Sequence, residues 1–179
     1  LTITADVADL AGNSATQASD STNKDTTAPA TSITIDSISN DSGVRSADFI
    51  TADNDGLTVN ATLSAPLITG EILQYSNDNG TTWSTVSNSA ISSNAVSFND
   101  SALTSSSTIQ FRVNDAAGNS GDPASQAVVI DTSAPTNTIT INDGGDGLLN
   151  PAESSSVLLS GTTSGAEDGQ NVAIAISDG

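Results

Sequence analysis

The fold is decided by the stretch Asp-Thr-Thr-Ala-Pro at residues 25–29, which returns as Asp-Thr-Ser-Ala-Pro at residues 131–135, 106 positions later. A second stretch, Asp-Leu-Ala-Gly-Asn-Ser at residues 9–14, returns at the same offset as Asp-Ala-Ala-Gly-Asn-Ser at residues 115–120. An internal period of this kind indicates a chain built from repeated structural units. We therefore expect a tandem array in which each unit spans one period.

Seven short segments between the two linker stretches alternate apolar and polar residues, as half-buried strands do. They lie at residues 33–35, 57–63, 71–76, from 81 through Trp83, at 96–98, 109–113 and 124–130. Residues 77–80, Asn-Asp-Asn-Gly, are typical of a hairpin turn. Seven strands in about 100 residues, with no helical pattern, predict an all-β chain of immunoglobulin-like β-sandwich domains.

The repeat divides the chain into three parts: residues 1–24, 25–130 and 131–179. We interpret the first as the last piece of one domain, the second as a complete domain, and the third as the start of the next, with strands at 139–141, 157–159 and 172–176. The outer two parts lack strands needed to close a core, so we expect them to be poorly ordered in isolation. Short Asp-x-x-Ala-Pro linkers join the parts, and proline makes such joints stiff.

The composition excludes several classes of function. The 179 residues carry a net charge of −18 with only three basic residues, a field that repels nucleic acid and anionic membrane surfaces. There is no Cys, Met or His, which excludes disulfides, zinc sites built on Cys or His, and Ser-His or Cys-His nucleophiles. The longest aliphatic run, residues 127–130, is too short for a membrane helix. We expect no enzyme activity, because the acidic loops offer no tuned proton donor.

Acidic residues are predicted to gather at both ends of the complete sandwich, because its successive loops alternate between those ends. Asp25 then shares one end with Asp115 in the 114–123 loop. Asp131 shares the other end with the acids of the 37–56 loop and with Asp100. Clustered carboxylates repel one another unless a cation lies among them, and Ca²⁺ takes about six to eight oxygen ligands from such loops. The candidate calcium ligands are Asp25, Asp41, Asp53, Asp55, Asp100, Asp115 and Asp131.

Turn chemistry is the alternative explanation for the same aspartates. An Asp before Thr-Thr caps a turn, and Asp-x-Ala-Gly-Asn closes a hairpin, without any metal. Residues 143–153 resemble an EF-hand loop only superficially, because Gly147 and Glu153 each come one position too early.

Aromatic residues offer a way to separate a spacer from a binding module. Only five are present, and we expect Phe98, Phe111 and Trp83 to be core residues. An exposed Trp83 or Phe49 would favour a module that binds a glycan or a protein, whereas burial of both would favour a spacer. An accessory domain of a secreted hydrolase is a third interpretation.

Three motifs together give the chain a family resemblance. The Asp-x-x-Ala-Pro linker, the Val-x-Asp-x-Ala-Gly-Asn strand ending at residues 113–119 and the Asn-Gly-Thr-Thr-Trp hairpin at 79–83 resemble bacterial immunoglobulin-like repeats. Such repeats occur in giant surface adhesins, including type I-secreted RTX adhesins and biofilm-associated proteins. The Gly-Gly-x-Gly-x-Asp calcium repeat of RTX tails is absent.

The resemblance implies an extracellular spacer on the bacterial cell surface. Its partners would be neighbouring repeats of the same chain, with the adhesive target bound by another domain. It also implies calcium at the junctions, where Asp25 and Asp131 would be ligands together with neighbouring loop acids.

Overall fold

The alternating segments of the sequence form paired strands in the computed structural model, which describes residues 1–43 and 45–177. These residues contain thirteen strands and one 3-10 turn at Asn88–Ala90, with no α-helix. The chain divides into two compact units, residues 1–130 and 131–179. We describe each unit separately.

The first unit holds eleven strands. They are β1 (Thr2–Ala5), β2 (Ala18–Ser21), β3 (Ile33–Ile38), β4 (Ile50–Thr51), β5 (Leu57–Leu63), β6 (Ile72–Ser76), β7 (Ser84–Thr85), β8 (Ile91–Ser92), β9 (Ala95–Asp100), β10 (Ser107–Asn114) and β11 (Ala124–Ile130).

Nine of these strands form two sheets in a sandwich-like arrangement. One sheet has the order β3-β5-β9-β8 and the other the order β4-β11-β10-β6-β7. All neighbours are antiparallel except β4, which runs parallel to β11. The alternation of β5 and β10 puts every second side chain on the buried face, as a half-buried strand requires.

The core lies between the two sheets and takes side chains from both. Leu57, Val59 and Leu63 come from one sheet, and Ile109 and Phe111 from the other, all with almost no exposed surface. Burying one such side chain stabilises the fold by about 1.5–3 kcal/mol. The core therefore depends on both sheets being present.

All seven strands predicted between the linkers are present. They are β3, β5, β6, β7, β9, β10 and β11. The return strand of the hairpin begins at Ser84 rather than at Thr81, because Asp78 holds Thr81 and Thr82 in the turn through their backbone and hydroxyl groups. The two-residue strands β4 and β8 were not predicted, because two residues are too few to show an alternation.

The N-terminal hairpin of the first unit stands apart from this core. β1 pairs with β2, and every residue of both strands is exposed. Leu1, Ile3 and Val7 are among the exposed large apolar side chains of this segment. The assignment of residues 1–24 to a separate domain stays a prediction.

The second unit contains one hairpin, β12 (Thr136–Asn142) paired with β13 (Leu158–Ser164). The predicted strands at 139–141 and 157–159 correspond to this pair. The prediction of a third strand at 172–176 is wrong, because these residues have no ladder of hydrogen bonds to another strand among the described residues. Residues 177–179, Ser-Asp-Gly, resemble the hairpin at 76–80 in sequence, and they lie largely outside the described residues.

Candidate metal centre

Asp115 closes the turn that follows β10. Its Oδ1 accepts hydrogen bonds from the backbone N–H groups of Ala117 (2.9 Å) and Asn119 (2.8 Å), and its Oδ2 accepts one from Asn119 Nδ2 (2.8 Å). The amide of Asn119, followed by backbone N–H groups, holds the pKa of Asp115 below its ordinary value. Asp115 thus has the turn role that the sequence offered as an alternative to calcium.

Asp9 closes an equivalent turn 106 residues earlier. Its Oδ1 accepts from the backbone N–H groups of Ala11 (3.0 Å) and Asn13 (2.9 Å), and its Oδ2 accepts from Asn13 Nδ2 (2.8 Å). The glycine in each turn has a similar positive φ, 86° at Gly12 and 89° at Gly118. The two copies of the motif therefore have the same local structure as well as similar sequences.

Asp25 lies at the end of the first unit that carries the Asp115 turn. Asn119 Nδ2, which bonds Asp115, is also 3.4 Å from the backbone oxygen of Asp25. The Asp25 carboxylate itself accepts from Thr27 N at 3.0 Å. The Asp25 carbonyl and the Asp115 carboxylate thus lie at a single amide, and such oxygens are the ligands that Ca²⁺ prefers.

Two close approaches between loops test the prediction that successive loops alternate between the two ends of the sandwich. A Cβ placed on Gly70 would lie 3.3 Å from Ala116 Cβ, so the 64–70 and 114–123 loops meet. A Cβ on Gly56 would lie 2.7 Å from Ser101 Cα, so the 37–56 and 99–106 loops meet. These two contacts agree with the predicted alternation of loops between the two ends.

Asp131 belongs to the second unit. Its Oδ1 accepts from Ser133 N at 2.8 Å, which matches the bond between Asp25 and Thr27 N. Both linker aspartates thus form the same local turn.

Asp53 and Asp55 form a carboxylate pair within the 37–56 loop. The amide of Asn40 donates to Asp53 at 2.5 Å and is the main cause of its lowered pKa. The neighbouring Asp53, through a side-chain hydrogen bond and then through its charge, raises the pKa of Asp55. Asp55 is therefore destabilised as a carboxylate, and a cation at this pair would remove that cost.

Asp41 holds the same loop at its buried end. Its Oδ2 accepts from Phe49 N at 3.2 Å, and Phe49 O accepts from Val129 N at 2.9 Å. Phe49 has a φ of 62°, which is rare for a bulky residue, and its side chain is buried in the core. Asp41 Oδ1 is buried with no hydrogen-bond partner among the described residues. An orphaned carboxylate oxygen fits a role as a cation ligand.

Asp100 lies at the end of β9. Its Oδ2 accepts from Asn77 Nδ2 at 2.9 Å, and its Oδ1 accepts from Ala102 N at 2.9 Å. Its charge also acts on Tyr75, whose pKa is raised first by burial and then by Asp100. Asp100 therefore bonds within the 77–81 and 99–106 loops.

The candidate ligands come together in small groups rather than in one cluster. Across residues 1–43 and 45–177, no three acidic side chains converge closely enough to hold a metal by themselves. Asp53 and Asp55 form one pair, and Asp25 and Asp115 meet through Asn119. Calcium binding stays a prediction, in which backbone carbonyls and water complete the ligand set.

The detailed structural roles of two residues, Asp78 and Phe49, were not predicted from the sequence. Asp78 organises the 77–81 hairpin. A hydrogen bond from Ser76, the largest cause, and hydrogen bonds from Thr82 lower the pKa of Asp78 to about 2. The turn motif itself was the signal for Asp78. Phe49 gave no signal, because a single aromatic residue in a polar loop shows no periodicity.

The two aromatic residues that discriminate between spacer and binding module give different results. Phe49 is buried, as a spacer predicts. Trp83 is half-buried rather than part of the core: its Nε1 donates to Gly80 O at 2.9 Å, and the Arg112 guanidinium lies 4.0 Å from its ring centroid. Phe49 is therefore no platform for stacking a ligand, whereas Trp83 keeps part of its surface exposed.

Comparison with protein-family models, with curated proteins and with solved structures gives no match. The residues that the structure describes include no helix that is long and apolar enough to cross a bilayer. The function is therefore inferred from the geometry and from the sequence motifs.

Proposed function

We propose that this chain is part of the spacer of a bacterial cell-surface adhesin, built from tandem immunoglobulin-like domains. The observation that carries the proposal is the duplicated turn. Asp9 and Asp115 make the same set of hydrogen bonds at the same spacing as the two linker motifs. A chain that repeats one unit in series gains length with each copy, which is what a spacer requires.

The strand orders support the immunoglobulin-like assignment. When β3, β5, β8 and β9 are taken as strands A, B, D and E, the first sheet has the order A-B-E-D. The second sheet then has the order G-F-C for β11, β10 and β6, with β7 added beside C. These are the strand orders of immunoglobulin sandwiches.

Calcium at the linkers is the mechanical part of the proposal. The unpartnered Asp41 oxygen and the Asp53–Asp55 repulsion support a cation in the 37–56 loop, and the group around Asn119 supports one near Asp25. Ca²⁺ would supply positive charge that fixes these oxygens in one geometry. Because the Ala-Pro linkers are already stiff, little conformational entropy remains to be lost when the ion binds.

The burial of Phe49 supports the spacer over a binding module that uses the 37–56 loop. The adhesive contact would then belong to another part of the full-length protein. Secretion to the cell surface is part of this proposal and depends on the family resemblance.

X-ray scattering on a protein of three consecutive complete units would test the proposed role of calcium. It would be measured in about 1 M monovalent salt, where the Debye length is about 3 Å and charge repulsion between units is screened. We expect the maximum dimension to be larger with calcium than with a chelator, because bound ions limit bending at the joints. A variant with alanine at the positions equivalent to Asp25 and Asp131 would serve as the control and would lose the difference.

Equal maximum dimensions for the unchanged protein with and without calcium would contradict the mechanical role of the ion. In that case proline and packing alone would set the stiffness. The spacer proposal itself would be contradicted if the three units collapsed into one globular particle in both conditions.

A further inference from the structure

A cleft of about 270 Å³ opens between β6, β7 and β9 of the first unit. Three of its lining residues are aromatic, Tyr75, Trp83 and Phe98, and Asp100 lines it as well. Clefts that take drug-sized ligands measure about 300–1,000 Å³. This one is smaller and suits a group about the size of one long side chain.

Five side chains of the cleft already donate hydrogen bonds within the protein. Ser76 Oγ donates to Asp78 Oδ1 (2.7 Å), and Thr82 Oγ1 donates to Asp78 Oδ2 (2.6 Å). Asn77 Nδ2 donates to Asp100 Oδ2 (2.9 Å). Trp83 Nε1 donates to Gly80 O (2.9 Å), and Ser84 Oγ donates to Tyr75 O (3.3 Å). What the lining still offers is mainly lone pairs and ring faces. Such a lining favours a ligand that donates hydrogen bonds without needing to accept them.

The Tyr75 hydroxyl adds an unused polar group beside the cleft. Tyr75 is only 3% exposed, and its hydroxyl has no hydrogen-bond partner among the described residues. Burial and the nearby Asp100 charge raise its pKa, so the hydroxyl stays neutral and keeps its oxygen lone pairs. A buried hydroxyl without a partner is uncommon and costly, which indicates that something satisfies it.

Charge and ring chemistry favour a cation. The chain carries a net charge of −18, and the cleft has Asp100 in its lining and Asp78 bonded to two of its lining residues. The Trp83 ring already has the Arg112 guanidinium 4.0 Å from its centroid, so this ring accepts a cation in the native fold. Ammonium and guanidinium groups have donors and no acceptors, which matches what the lining leaves free.

We propose that this cleft binds an alkylammonium or alkylguanidinium group of a small molecule. Its N–H groups would donate to Asp100 and to the Tyr75 hydroxyl, and its alkyl part would lie against Trp83 and Phe98. This binding activity goes beyond the spacer role and does not depend on it.

Titration of the full chain with n-pentylamine at pH 7 would test the proposal. Trp83 is the only tryptophan of the chain and lines the cleft, so its fluorescence reports binding directly. We expect a saturable change with the amine that weakens as sodium chloride rises, because salt screens the attraction. Neutral 1-pentanol and methyl glucoside serve as matched ligands and are expected to bind at least tenfold more weakly. An equal response to either neutral ligand, or no response to the amine, would overturn the proposal.

Two variants locate the binding group. Asp100→Asn is expected to weaken amine binding by about tenfold, since it removes a charge-assisted hydrogen bond. Tyr75→Phe, which removes only the hydroxyl, is expected to weaken it by a few-fold. Asp122→Asn removes an equal charge from an exposed residue that does not line the cleft, and it is expected to leave the affinity unchanged. If Asp122→Asn weakened binding as much as Asp100→Asn, general charge attraction would explain the result and the cleft site would be wrong.

Discussion

The first and second units pair equivalent strands but differ in what covers them. In the first unit, Ile33 of β3 lies opposite Leu63 of β5, and the two are 9% and 1% exposed. In the second unit, Ile139 of β12 lies opposite Gly161 of β13, and Ile139 is 60% exposed. Both pairs are antiparallel but their burial differs, because among the described residues only the first unit has a second sheet to close the core.

This difference shows which part of the fold forms without tertiary packing. β12 and β13 pair along seven residues with no second sheet among the described residues of their unit. This pairing does not bury the apolar face, and a two-stranded sheet alone is marginally stable in water. Stability in this protein therefore comes from the packing of two sheets rather than from strand pairing.

The largest expected effect is a difference in stability between the units when an isoleucine is replaced by alanine in each. Ile109→Ala in β10 empties a fully buried position and is expected to cost about 2–5 kcal/mol. Ile139→Ala in β12 changes an exposed position and is expected to cost less than about 0.5 kcal/mol. Amide hydrogen exchange of the full chain reports on both units residue by residue.

We expect Ile109→Ala to reduce protection throughout β5, β6 and β10, while Ile139→Ala leaves β12 and β13 as they were. A comparable loss of protection within each unit would show that the second unit has a packed core, and the contrast drawn above would be wrong.

Calcium is expected to have the next largest effect. Extracellular calcium modules bind with dissociation constants of about 10⁻⁴ to 10⁻³ M, and calcium at ten to a hundred times that constant would stabilise the fold by about 1.4–2.7 kcal/mol per site. Thermal melting followed by Trp83 fluorescence reports on the first unit, and a chelator is expected to lower its melting temperature. Asp55→Asn sharpens the test, because it removes the repulsion from Asp53.

Without calcium, Asp55→Asn is expected to melt at a higher temperature than the unchanged protein, and with calcium it is expected to gain less. Asp20→Asn, at an exposed position of β2 outside the candidate calcium loops, is the matched control for the loss of one charge. A melting temperature indifferent to both chelator and Asp55→Asn would leave turn chemistry as the whole role of the 37–56 loop.

A smaller effect concerns the 77–81 hairpin of the first unit. Ser76 and Thr82 hold the pKa of Asp78 at about 2, below the ordinary value of 3.8. Because the folded pKa is lowered, the stability that Asp78 contributes is present above about pH 4 and is lost as the pH falls toward 2. Urea denaturation of Asp78→Asn is expected to show lower stability at pH 7 and a flatter decline between pH 4 and pH 2. A decline as steep as that of the unchanged protein would assign the acid sensitivity to other carboxylates.

Sequence reasoning predicted the elements whose cause is local. The alternation at 57–63 and 109–113, the turn at Asp115 and the hairpin at 77–80 each need only neighbouring residues, and each is present. Phe49 could not be predicted as a core residue, because the strand whose Val129 N donates to Phe49 O lies about 80 residues away along the chain.

The candidate site was harder to predict than the fold. The sequence placed Asp25 with Asp115, and the 37–56 loop with the 99–106 loop, but it did not indicate which oxygens were already used. Asp115 and Asp25 both accept bonds from nearby N–H groups, whereas one oxygen of Asp41 has no partner. Such differences depend on loop geometry, which residue spacing alone does not fix.

The central claim is that one period, from one linker to the next, is one folding unit. The most direct test is the thermal unfolding of a protein limited to residues 25–135, which contains β3 to β11 and both linkers but not the exposed β1–β2 hairpin. We expect a single cooperative transition at the temperature at which Trp83 reports melting in the full chain. A protein of residues 1–110 lacks β11 and the buried β10 residues Phe111 and Val113, and it is predicted to show no cooperative transition. If residues 25–135 failed to fold, or if both proteins melted alike, the period would not be the folding unit and the account would be contradicted.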